Sequence, residues 1–125
     1  MYNPGVTEPN HSEIVIISEP ISQARLREMA AESFGDMVKA VVDTNQRLLA
    51  LGGGLHSDEE AALLAQGSVQ ADLWGINIYP EQPRSEWVEF DSMINIRPRL
   101  GNRSRSVKDT AVQQLILEIV DSLIL

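Results

Sequence analysis

Five of the chain's ten basic residues, Arg97, Arg99, Arg103, Arg105 and Lys108, fall within twelve consecutive positions of a protein whose formal net charge is -8. Guanidinium forks bind planar anions bidentately. A local positive field on an acidic protein suits a carboxylate, a phosphate or an acidic partner surface. Arg97 and Arg99 flank Pro98, Gly101 permits a turn, and Asn102 adds an amide beside Arg103 and Arg105. Arg97, Arg99, Asn102, Arg103 and Arg105 are therefore the candidate set for a small anion or an acidic protein partner. The segment also runs into a helical pattern near Ser106, whose first N–H groups would face a bound anion. The plain alternative is that these arginines pair with the chain's own eighteen carboxylates.

A second group of polar residues reads as one face of a strand pair: Asn77 and Tyr79 on one run, Glu89, Asp91, Asn95 and Arg97 on the next. Glu89 and Asp91 are two apart, about 6 to 7 Å between Cα atoms on a strand, which allows acid–base or metal chemistry. More often such a face is only the solvated side of a sheet. If Glu89, Asp91, His56 and Arg97 converged, a small hydrolase-like enzyme would result. His56 precedes Asp58, Glu59 and Glu60, but its only fellow histidine is His11, in the N-terminal stretch. No metal and no cofactor are expected. The glycine run Gly52–Gly54 lacks the lysine and spacing of a phosphate loop. Cysteine is absent, and no serine sits in a Gly-x-Ser-x-Gly elbow. Lacking a complete catalytic set, the chain reads first as a binding or interaction module.

These residues must be carried by regular elements. Glu13 to Ser18 is a short apolar run, as in a strand covered on both faces. Ser22 is placed to cap a helix to about Phe34, with Leu26, Met29, Ala30 and Phe34 on its inner face and Gly35 as its exit. Met37–Asp43 and Arg47–Leu51 flank a turn and read as a hairpin. Ser57 and Glu60 have capping-box spacing for a helix ending near Gly67. Leu73–Tyr79 and Trp87–Arg97 alternate and read as a second hairpin. In it Trp74, Ile76 and Ile78 point inward on the first strand, and Val88, Phe90, Ile94 and Ile96 on the second. Trp87 falls on the polar side. Ser106 and Asp109 are spaced to box the start of a last helix, where Val112, Leu115, Ile116, Ile119, Val120, Leu123 and Ile124 form an apolar stripe. The order β-α-ββ-α-ββ-α predicts an α+β fold: a mostly antiparallel sheet of four to five strands, with its helices packed on one face.

At 125 residues the chain has the size of one domain. We expect a flexible lead-in over 1–12 and a single domain over 13–125. No apolar run reaches the roughly 20 residues of a membrane span, so no membrane association is expected. The N-terminal residues lack a basic start and an apolar stretch, and a cysteine-free chain suits a cytoplasmic location. The acidic balance disfavours nucleic acid. Leu117 and Leu125 lie off the main stripe of the last helix, where a second subunit could meet them, so a homodimer is one expected assembly.

From about Ile14 to the C-terminus the chain resembles a family of small uncharacterised prokaryotic proteins, a domain of unknown function. The likeness rests on Phe34-Gly-Asp-Met-Val-Lys-Ala-Val-Val-Asp43, Leu51-Gly-Gly-Gly-Leu-His56, Asp72-Leu-Trp-Gly-Ile-Asn-Ile-Tyr79, Phe90-Asp-Ser-Met-Ile-Asn-Ile-Arg-Pro98 and Gly101-Asn-Arg-Ser-Arg105. It implies a shared fold and no activity, cofactor or catalytic residue. Members of the family carry an acidic residue where this chain has Gly54, so no carboxylate role passes to that position.

Overall fold

A computed structural model describes residues 14–125. The lead-in expected over 1–12, with His11, lies outside the described residues. The described chain forms β1 (Val15–Ile17), α1 (Gln23–Glu32), β2 (Val38–Asp43), β3 (Leu48–Leu51), α2 (His56–Ala65), β4 (Leu73–Ile78), β5 (Val88–Glu89) and α3 (Thr110–Leu123). The α+β class, the antiparallel sheet and the element order follow the sequence pattern. The five strands lie in the order β1-β3-β2-β4-β5, every neighbour antiparallel.

One sheet face carries the main core. Val38, Ala40 and Val42 of β2, Leu49 and Leu51 of β3, and Trp74, Ile76 and Ile78 of β4 pack there against Leu26, Met29 and Ala30 of α1 and Ile116, Ile119, Val120 and Leu123 of α3. All seven positions of the last helix's stripe belong to this cluster or pack on it. The end of α3 is fastened to the start of α1: Ile21 donates its N–H to Leu123 at 2.8 Å and accepts from Leu125 at 2.9 Å.

Contrary to the sequence expectation, the helices do not all pack on one face of the sheet. Val41, Ala50 and Leu73 point to the opposite side and are covered by Leu63 of α2. Central strands apolar on both faces need a second layer, and α1 with α3 supply only one.

Other differences have local causes. Phe34 is 45% exposed because α1 ends at Glu32 and the chain turns away through Gly35 at φ +93. Ser57 caps nothing: α2 starts at His56, and its N-cap position, Leu55, makes no side-chain bond. Asp109 alone caps α3, accepting from Ala111 N–H at 2.8 Å. Trp87 is buried in the main core, with Nε1–H donating to Gln82 at 2.9 Å. It closes a 3-10 turn in helical backbone, so strand alternation does not reach it.

The largest departure is the strand expected over Trp87–Arg97. Only Val88 and Glu89 pair with β4, opposite Ile78 and Asn77. The chain then crosses over Gly75, where an added Cβ would sit 2.6 Å from Ser92 Cβ, and forms a 3-10 turn at Met93–Asn95. Phe90 and Ile94 consequently pack on opposite sides of the sheet, and Ile96 is exposed.

Truncating Ile116, fully buried in α3, to alanine should cost about 2–5 kcal/mol in a denaturant melt. Gly75→Ala should cost about 1–3 kcal/mol or more, because backbone and Ser92 must separate. A neutral Gly75→Ala would show that this crossing is loose.

Candidate functional site

The basic segment is shaped from within by two asparagines. Asn95 is buried and pairs with β4 as a backbone residue would: Gly75 N–H donates to its Oδ1 at 2.8 Å, and its Nδ2 donates to Gly75 O at 2.9 Å. Its second Nδ2 proton reaches Arg105 O at 2.9 Å. Asn102 is also buried. Its Nδ2 lies 2.6, 3.1 and 2.7 Å from the carbonyls of Asn95, Ser104 and Ser106, and its Oδ1 accepts from Lys108 N–H at 2.9 Å. Both amides are consumed by backbone groups, Asn95 chiefly by Gly75 of β4 and Asn102 by the loop itself. They shape the segment and leave little for a ligand to use.

The arginines divide. Arg97 pairs with Glu60 of α2 at 3.1 Å, both side chains largely buried, and its guanidinium lies 5.2 Å from the centre of the Trp74 ring. Burial is the main influence on Arg97 and lowers its pKa, with Glu60 working in the opposite direction. Arg105 Nε meets Asp91 Oδ1 at 2.6 Å on the surface. Arg99 and Arg103 are exposed and form no ion pair among the described residues.

A tight turn, Pro98–Leu100 closed by Gly101 at φ +76, carries Arg99. Beside it lies a cavity of about 360 Å³ lined by Gln70, Ala71, Arg97, Pro98, Arg99 and Leu100. The amides expected near Ser106 are not free. Ser104 Oγ accepts from Ser106 N–H at 3.2 Å, Asn102 takes Lys108 N–H, and α3 begins only at Thr110.

The polar strand face is assembled on the side of the sheet that α2 covers. Asn77 stands between Lys39 and Glu89 in the register of β2, β4 and β5. Its Nδ2 lies 2.8 Å from Glu89 Oε1 and 3.3 Å from Asp91 O. Tyr79 O–H donates to the same Glu89 oxygen at 3.1 Å. Burial, then that bond to Glu89, raises the Tyr79 pKa.

His56, at the first position of α2, is buried and sets Nε2 2.8 Å from Ile76 O. A carbonyl only accepts, so Nε2 carries the proton and Nδ1 keeps its lone pair. Burial is the largest influence on His56 and lowers its pKa; Lys39, Asp91 and Arg105 also act on it. Asn77 thus joins Glu89 and the Asp91 backbone at one end of the face, where Asp91 also acts electrostatically on His56, while Arg97 pairs with Glu60, one helical turn further along α2.

Sequence patterns missed Glu59. It is fully buried, with Oε2 accepting from Gly53 N–H at 2.9 Å and Oε1 without a partner among the described residues. An added Cβ on Gly53 would sit 2.9 Å from Glu59 Cγ. The glycine run therefore admits a carboxyl group, and that run was the one available signal. Burial raises the Glu59 pKa well above 4.5, against the lowering effects of the Gly53 bond and Lys39.

The description "Protein of unknown function (DUF5674)" belongs to a family whose model matches residues 15–123. The chain is a member of that family. No curated protein and no solved structure matches it. Family membership covers nearly all of the described domain, both asparagine-shaped loop and polar face included, and assigns neither a role.

Glu59 also dictates a pH response. A carboxyl whose pKa is raised on folding binds more protons folded than unfolded, so its contribution is full below about 4.5 and declines as pH rises through the folded value. Glu59→Gln removes this ionisation and can keep the Gly53 bond. At neutral pH the variant should be about 1–3 kcal/mol more stable than the parent, an advantage that vanishes in acid, as urea melts across pH would show.

Proposed function

We propose that the protein is a binding module holding a small organic anion, a carboxylate or phosphate with an apolar body, beside the 97–105 loop. The observation that carries this reading is the cavity of about 360 Å³ with Arg99 in its wall and Pro98, Leu100 and Ala71 as apolar lining. Its size falls in the range of small-molecule sites. Arg99 and Arg103 supply charge that no internal carboxylate among the described residues neutralises. Arg97 and Asn102 act as builders: one fixes the loop to α2 through Glu60, the other holds its backbone. Arg105 is engaged with Asp91 and contributes field more than contact.

Hexanoate, a carboxylate with an apolar tail, should raise the melting temperature above matched chloride. Binding to the native state alone stabilises by roughly 2.7 kcal/mol at 100 times Kd. Sulfate stabilises folded proteins generally by exclusion and serves as the control. An Arg99→Ala, Arg103→Ala variant should lose the hexanoate gain and keep the sulfate response. Equal hexanoate responses in the two proteins would reduce these arginines to surface charge.

A further inference from the structure

Leu117 stands off the apolar stripe of α3 and belongs to neither apolar cluster of the domain. It lines instead a cavity of about 510 Å³ between α3 and β5, together with Trp87, Val88 and Val120. Trp87 and Val120 are buried, and Val88 and Leu117 are half-buried. The indole N–H of Trp87 is spent on Gln82 O at 2.9 Å, so these four side chains offer the cavity apolar surface. Its volume falls in the range of small-molecule sites. It shares no lining residue with the cavity at Arg99.

Two ionic side chains line the same cavity, Arg84 and Asp121. Arg84 is already engaged. Its Nη2 lies 3.2 Å from Asp121 Oδ1 and donates to Ile124 O at 2.7 Å, and its guanidinium is 3.9 Å from the centre of the Trp87 ring. The Asp121 side chain is 70% exposed, and its Oδ2 makes no hydrogen bond among the described residues. Glu86 precedes Trp87 and Glu118 follows Leu117; both are exposed and form no ion pair among the described residues. Three carboxylates around one guanidinium make this region acidic, on a chain whose net charge is -8.

We propose that this cavity binds a primary amine with an apolar body, an alkyl or arylalkyl ammonium. The chain or ring covers Trp87, Val88, Leu117 and Val120, where removing apolar surface from water supplies the driving force. The ammonium meets the exposed carboxylate of Asp121. A carboxylate has about four lone-pair sites, so Asp121 accepts from the ligand while keeping its bond from Arg84. Glu86 and Glu118 add field rather than contact. A carboxylate ligand would face all three acids, and the one cation it would seek is already bonded to Asp121 and Ile124. A neutral alcohol would gain the apolar contact without the charge.

Heteronuclear NMR of the full chain, titrated at pH 7 with hexylamine, hexanol and hexanoate, tests the proposal; the three share a chain and differ in charge. Hexylamine should give saturable shifts in the millimolar range, centred on the Trp87 indole N–H, Val88, Leu117 and Asp121. It should bind about threefold to fivefold more tightly than hexanol, the scale of one exposed ion pair. Asp121→Asn, a surface change, should remove most of that margin and leave hexanol binding as it was. The Arg99→Ala, Arg103→Ala variant should bind hexylamine as the parent does, which keeps this result separate from the anion site. No saturable shift at these residues with hexylamine, equal affinity for hexylamine and hexanol, or tighter binding of hexanoate in this cavity overturns the proposal. So does a mass of two chains in light scattering with the cavity closed to hexylamine, which would place a second copy there.

Discussion

A side-chain amide standing in for a strand organises the second half of this molecule. Asn95 exchanges two hydrogen bonds with the backbone of Gly75, satisfying β4 at the point where β5 has ended. A strand edge left open here would bury an unpaired N–H and C=O, which native folds avoid. With Asn95 in place, the chain is free to leave the sheet, turn, and carry its basic residues outward. Gly75 is the complement, since any side chain there would collide with Ser92. Asn102 completes the device by tying Asn95, Ser104 and Ser106 to one amide. Together these contacts decide where Arg97, Arg99, Arg103 and Arg105 stand.

The two faces of the sheet have different electrostatic characters. Against α1 and α3 the contacts are almost entirely apolar. Beneath α2 a small apolar cluster shares the surface with Lys39, His56, Glu59 and Asn77. Removing such groups from water is unfavourable unless partners are supplied. Here the supply is incomplete, since Glu59 Oε1, Asn77 Oδ1 and Arg97 Nη1 have no partner among the described residues. Each such buried group calls for a physical account. His56 has one, because burial favours its neutral form and its backbone bond fixes which nitrogen holds the proton.

Much of the fold was legible in the chain because periodicity reports burial directly. The stripe from Val112 to Ile124, the alternation of Trp74, Ile76 and Ile78, and the turn between β2 and β3 all reflect which atoms must leave water, and the structure places them accordingly. The α+β class and the element order follow from those patterns. A period of two groups Asn77, Tyr79, Glu89 and Asp91, which hydrogen bonds join, but Asn95, assigned to the same polar face, is instead buried against Gly75 in a 3-10 turn.

Tertiary structure decided what one-dimensional patterns do not encode. Residues 90–97 alternate as a strand would, yet only Val88 and Glu89 pair, because a ladder needs a partner with room and β4 presents Gly75 beneath Ser92. Trp87 is buried for a similar reason, since its helical backbone breaks the alternation. The roles of five nearby basic residues also diverged by position in space: Arg97 reaches Glu60, thirty-seven residues away, while Arg99 stays exposed. Glu59, an acid in the first turn of α2, is placed inside by the chain's return through Gly53. Local composition determines which surfaces seek burial; the long-range crossings determine which polar groups are buried with them and which are left without a partner.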